Sequence, residues 1–140
     1  MTSINRQILL ASRPAGETTV DNFRLVETPL PAELAEGQVL VRHHYLSLDP
    51  YMRMRMNDVK SYAPPQALGA VMVGGTAGVV LASRHPKFAV GDHVVGGGGW
   101  QEHAVVEGPA LAMLRKVDTR QVPLSAYLGA VGMPGVTAWV

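Results

Sequence analysis

Fifteen glycines and ten prolines distributed through 140 residues cut the apolar residues of this chain into short runs. Runs of that length separated by turn residues every 8–12 or so positions indicate a small all-β barrel rather than alternating strand and helix. Ile8-Leu9-Leu10-Ala11 reads as a first strand, ended by the turn Arg13-Pro14-Ala15-Gly16. Residues 22–27 form a second, stopped by Pro29 and Pro31. From Gln38 to Leu46 the alternation is the clearest in the chain: Val39, Val41, His43 and Tyr45 share one face, and Leu40, Arg42, His44 and Leu46 the other. Ala70 to Ser83 is a Val- and Gly-rich strand region, in which Gly74-Gly75 and Gly78 mark bulges or close backbone approaches. Short strands around His93-Val94-Val95 and His103-Ala104-Val105-Val106 complete the β pattern.

Composition narrows the class. A net charge of +1 provides no basic stripe for nucleic acid. With no cysteine there are neither disulfides nor thiolate metal ligands. No apolar run approaches 18 residues and the N-terminus lacks a signal-peptide pattern, so a cytoplasmic protein with no membrane partner is expected. Charged residues are 16% of the chain, below the roughly 25% typical of soluble domains, which implies a surface that expects cover.

The strand ending at Leu46 runs into Leu-Ser-Leu-Asp-Pro-Tyr-Met-Arg-Met-Arg-Met, residues 46–56. Asp49 as N-cap and Pro50 at the first helical position predict a sharp strand-to-helix corner. Tyr51 would then stand in the first turn, near unpaired amides suited to an electron-rich group. Met52 and Met56, four apart, share one helical face as adaptable apolar surface. The plainer alternative is a helix start with its methionines packed in a core. His43 and His44 diverge on their strand and cannot chelate one metal as a pair. Gly96-Gly97-Gly98-Gly99 is followed by a strand pattern and lacks the Gly-x-Gly-x-x-Gly helix opening, so it is not read as a phosphate loop. Tyr62, in a Pro64-Pro65 loop, is a pocket-lining candidate. After Pro123 a short helix is expected to about Val131, broken at Gly132-Met133-Pro134-Gly135, with a second apolar helix from Val136 to Val140.

Four stretches carry a resemblance: Leu48-Asp49-Pro50-Tyr51-Met52-Arg53; Gly91-Asp92-His93-Val94-Val95-Gly96 with Gly99-Trp100-Gln101; Gly132-Met133-Pro134-Gly135-Val136-Thr137-Ala138; and Leu10-Ala11-Ser12-Arg13-Pro14 with Asn22-Phe23-Arg24. In this order and spacing they resemble the zinc-independent medium-chain dehydrogenases/reductases, which include curcumin reductase and the 2-alkenal and prostaglandin/leukotriene reductases. The resemblance reaches only that family's first domain. It implies a mainly β, GroES-like, partly open barrel with short helices, truncated before the Rossmann domain. Residues 1–122 would form the substrate domain, and residues 123–140 would start the connecting helices to a nucleotide-binding domain outside this chain.

The implied activity is NADPH-dependent reduction of the C=C bond of α,β-unsaturated carbonyl compounds such as curcumin-like molecules and 2-alkenals. No metal is expected, because Asp49-Pro50-Tyr51 and Leu68-Gly69-Ala70 stand where zinc-dependent relatives carry a cysteine ligand and a Gly-His-Glu motif. Tyr51 and Tyr62 become candidate substrate-pocket walls or donors, with Tyr51 the catalytic candidate, and Trp100 a pocket lid. Pro50, Met52, Met133 and Thr137 become candidate contacts to the nicotinamide half of NADPH, and a homodimer is implied for the complete protein. Two alternatives stay open: a quinone reductase of the same fold, and a non-catalytic GroES-like binding domain. As a separate chain the fragment is expected to be inactive.

Overall fold

The computed structural model describes residues 3–139. It contains two antiparallel sheets. One pairs β1 (Ile4–Leu10) with β2 (Phe23–Pro29) in register from Ile4 opposite Pro29 to Leu10 opposite Phe23. The other has five strands, β3 (Val39–Leu46), β4 (Thr76–Ser83), β5 (His93–Gly96), β6 (His103–Val106) and β7 (Arg115–Lys116), in the order β6-β3-β4-β5-β7. The fold is therefore mainly β with short helices, as expected. Among the described residues β6 and β7 do not pair with each other, so the sheet curls without closing. Bridges from Gln7 to Gln101 and from Leu9 to Val71 tie the two sheets together.

β1 begins four residues before its apolar patch, because Asn5, Arg6 and Gln7 find ladder partners in β2 and Asn5 and Gln7 also donate side-chain bonds to Gln101 Oε1 at 3.0 and 2.7 Å. Of the expected strand region 70–83, only the part from Thr76 onward is a strand. Residues 72–75 are non-repetitive, and Gly74 is pressed against Leu46 and Trp100. Gly78 confirms a close approach: a Cβ there would collide with the Arg42 carbonyl of the neighbouring β3. Beside it the β3–β4 register slips between His43 and Tyr45, which breaks the predicted sharing of one face. His43 is partly buried, whereas Tyr45 is 48% exposed.

Two apolar clusters result. Val39, Val41, Val80, Phe88, Val94, Ala104 and Val106 fill the curl of the five-stranded sheet. Leu10, Met52, Met56 and Met72 pack between the sheets, with Phe23, Tyr51 and Trp100 against them. Each fully buried Val, Leu or Met contributes about 1.5–3 kcal/mol by leaving water.

The C-terminal expectation needs correction. After Pro123 the short helix is a 3-10 one, Leu124–Leu128, ending three residues before the expected Val131. The last helix, α2, starts at Met133, three residues earlier than expected, because a proline within the first helical turn removes no needed donor. Val140, the expected end of that helix, lies outside the described residues. No helix among them is long and apolar enough to cross a membrane.

Candidate active site

β3 ends at the corner, and α1 (Tyr51–Arg55) follows directly. Its cap differs from the sequence expectation. Pro50 itself occupies the N-cap position, and the Asp49 carboxylate accepts the Ser47 hydroxyl at 2.8 Å instead of an amide. The turn is closed by the backbone, the Met52 amide donating to the Asp49 carbonyl at 3.1 Å and the Arg53 amide to the Pro50 carbonyl at 3.1 Å. The helix is then anchored from both sides. Met52 and Met56, each 3% exposed, enter the inter-sheet cluster, and the Arg53 guanidinium donates to the carbonyls of Gly16 at 2.7 Å and Pro14 at 3.3 Å.

A cleft of about 150 Å³ lies against this corner. Ser47, Asp49 and Tyr51 form one wall, with Gly75, the residue before β4, also lining the cleft. Tyr127 and Leu128 of the 3-10 turn and Met133 and Pro134 of α2 form the other wall. No lysine, arginine or histidine lines it. Its two phenols differ in availability. The Tyr127 hydroxyl donates to the Asp118 carbonyl at 2.5 Å. The Tyr51 hydroxyl makes no hydrogen bond to another described residue, and burial, followed by the nearby Asp49 charge, raises its pKa. At neutral pH it is a protonated, free donor.

The structure thus brings Tyr51 and Met133 together in one cleft. Pro50 is exposed at the corner and Met52 points away into the cluster. Thr137 is exposed on α2. Tyr62 is 78% exposed and does not line the cleft. Trp100, expected as a lid, stacks on Phe23 with centroids 5.4 Å apart and backs the corner from inside. Its register there is set by the backbone, the Trp100 amide donating to the Met72 carbonyl and its carbonyl accepting from the Ile8 amide, both at 2.8 Å. Sequence reasoning missed Tyr127 and the Ser47–Asp49 pair. A tyrosine inside an apolar run and a serine two residues before a presumed cap carry no local signal of a shared wall.

His43 turns inward, donating from Nδ1 to the Gln101 carbonyl at 2.7 Å, and His44 is exposed, so the divergence of the pair holds. The glycine run is tied into the fold at two points: the Gly98 amide donates to Thr76 Oγ1 and the Gly99 amide to the Gly74 carbonyl. Among the described residues no three His, Asp or Glu side chains converge as a metal site would require.

Fold and cleft together define a class: a mainly β domain with an open sheet and a protonated phenol in a small cleft without cationic side chains at its strand-to-helix corner. Residues 6–114 match the family described as the N-terminal domain of oxidoreductase. The chain is 51% identical over 136 residues to the NADPH-dependent curcumin reductase of Escherichia coli, spanning 97% of this chain and 38% of that protein. It is 36% identical to the NADP(+)-dependent 2-alkenal reductase of Nicotiana tabacum, spanning 96% of this chain and 40% of that one. The crystal structure of CurA from Vibrio vulnificus in complex with NADPH superposes with a TM-score of 0.85 at 47% identity, over 96% of this chain and 39% of that one. The chain belongs to the family described as the N-terminal domain of oxidoreductase. It spans about two fifths of the length of these relatives.

Proposed function

We propose that this chain is the substrate-side domain of an NADPH-dependent oxidoreductase that reduces the C=C bond of α,β-unsaturated carbonyl compounds, curcumin-like molecules and 2-alkenals among them, without a metal. Residues 1–122 are the substrate domain and residues 123–140 begin the connection to a nucleotide-binding domain. The observation that carries this reading is the Tyr51 phenol: protonated, without a protein partner, and facing a cleft otherwise walled by uncharged groups and the Asp49 carboxylate.

The cleft fits one end of the cofactor and not the other. With no cationic wall it offers nothing to the phosphates, whereas apolar Leu128, Met133 and Pro134 suit the flat, uncharged nicotinamide. Met133 and Thr137 would hold that half from α2. Pro50 and Met52 would approach it through the backbone. When bound, the reduced nicotinamide supplies the hydride that reaches the β-carbon. The part of this chain is to orient the acceptor, exclude water and place the Tyr51 O–H at the carbonyl oxygen, where negative charge develops. Tyr62, exposed in its loop outside the cleft, would meet only the outer part of a substrate, and Trp100 stiffens the corner from behind.

The test joins residues 1–122 to the remainder of the Escherichia coli curcumin reductase and follows NADPH oxidation. Turnover with curcumin or a 2-alkenal above that with simple quinones is expected. A preference for quinones, or none for enones, would overturn the reading. The 140-residue chain alone should bind NADPH no tighter than millimolar; micromolar binding would show that the cofactor is held differently.

A further inference from the structure

A second hollow of this molecule is larger than the Tyr51 cleft. About 310 Å³ lies open within the curl of the five-stranded sheet, between the glycine run and the 3-10 turn Gly108–Ala112. No residue lines both spaces: Gly75 belongs to one and Thr76, its neighbour at the start of β4, to the other. Val94, Ala104 and Leu114 provide apolar walls, small side chains at Ala104 and Gly96–Gly98 leave the volume, and no charged side chain reaches it.

Its polar groups are His43, Thr76 and Gln101, and two of them are already engaged. Thr76 Oγ1 accepts the Gly98 amide at 3.1 Å. The Gln101 amide nitrogen donates to the Gly98 carbonyl at 2.8 Å, and its oxygen accepts from Asn5 and Gln7. His43 is different. Because Nδ1 faces a carbonyl it must carry the ring proton, which leaves Nε2 a bare acceptor. The Cε1–Nε2 edge lies against Gly98, another wall of the hollow, and Nε2 has no partner among the described residues. Burial lowers the pKa of this imidazole, so it stays neutral and Nε2 stays an acceptor near neutral pH.

We infer that this hollow is a second ligand site, separate from the Tyr51 cleft, for a small uncharged molecule with an apolar ring and one hydrogen-bond donor, held by His43 Nε2. Its size matches the lower end of small-molecule pockets, which are mostly apolar with a few orienting polar groups. Water is a poor occupant, since each molecule needs two to four polar partners and the side chains spare one acceptor. An anion is excluded by the absence of any cation in the walls.

Phenol, benzene and benzoate, titrated into the 15N-histidine-labelled protein and followed by long-range imidazole correlation spectra, test this. Phenol is expected to bind saturably in the millimolar range and shift His43 Nε2. Benzene should bind about tenfold more weakly, the difference one such hydrogen bond makes, and benzoate should not bind. Ala104→Leu should abolish binding by filling the space, and Leu114→Phe does the same from the side should Ala104→Leu fail to fold. In His43→Leu the preference for phenol over benzene should vanish. The inference is overturned by absence of saturable phenol binding, by equal affinity for benzene, by saturable benzoate binding, by phenol binding that survives the filled hollow, or by saturable phenol binding that leaves His43 Nε2 unshifted.

Discussion

The His43 ring occupies the volume that a side chain at position 98 would need, so a Cβ placed on Gly98 would collide with Cε1 and Nε2 of the imidazole. The ring cannot retreat without breaking its 2.7 Å bond to the Gln101 carbonyl. Gly98→Ala is therefore expected to destabilise the fold by about 1–3 kcal/mol through overpacking. In a His43→Ala background the same change should cost clearly less, with a coupling of about 1–2 kcal/mol measured by urea unfolding of the four variants. Additive costs would show that position 98 is restricted for some other reason.

The same burial makes stability pH-dependent. His43 and His103 both have folded-state pKa values lowered first by burial, below the ordinary 6.5. As pH falls through that value the unfolded chain takes up protons that the folded chain refuses. Stability is thus complete above it and declines as pH drops toward the folded values. The urea midpoint should fall between about pH 7.5 and about pH 5.5, a window in which the carboxylates remain charged. His43→Gln should make the fall smaller. An unchanged slope in that variant would assign the effect elsewhere.

Arg53 clips α1 to the loop after β1, with donors to Pro14, Gly16 and the Asn57 side chain at 2.7 Å. Arg53→Ala is expected to lose about 1–2 kcal/mol and to speed amide exchange in residues 51–56 more than in β3. Arg53→Lys should recover less than half, since an ammonium cannot reproduce the planar fork. Uniform exchange changes across the domain would argue against a local clip.

Tyr51→Phe separates chemistry from packing, because among the described residues the hydroxyl has no partner to lose. Stability should stay within about 0.5 kcal/mol. In the chimera with the Escherichia coli remainder, kcat for an enone should fall about ten- to a hundredfold. Tyr127→Phe, which removes the bond to the Asp118 carbonyl, should instead lower stability by about 1 kcal/mol. The opposite pattern would exchange the roles of the two phenols.

The strands were readable wherever one face is buried: period-2 alternation in Val39, Val41 and His43 predicts β3, and its inward side is the side the structure buries. β7 was not readable, since Arg115 and Lys116 are exposed polar residues whose pairing with Val95 and Val94 has no local hydrophobic pattern. The Asp49 cap failed for a related reason. The residue type suits an N-cap, yet Ser47 lies within reach of its carboxylate only after the corner has formed.

Residue order was enough to dictate short strands, a corner at Asp49-Pro50, methionines on the buried side of the helix and glycine at 78, because backbone stereochemistry and apolar periodicity act over a few residues. It did not specify that the phenol at 51 would be free and the one at 127 engaged, that Trp100 would back the corner rather than cover it, or that His43 would face a hollow with one acceptor unsatisfied. Those outcomes depend on groups far apart in sequence meeting in space, as Tyr51 and Tyr127, 76 positions apart, do at the cleft, and no local preference encodes them.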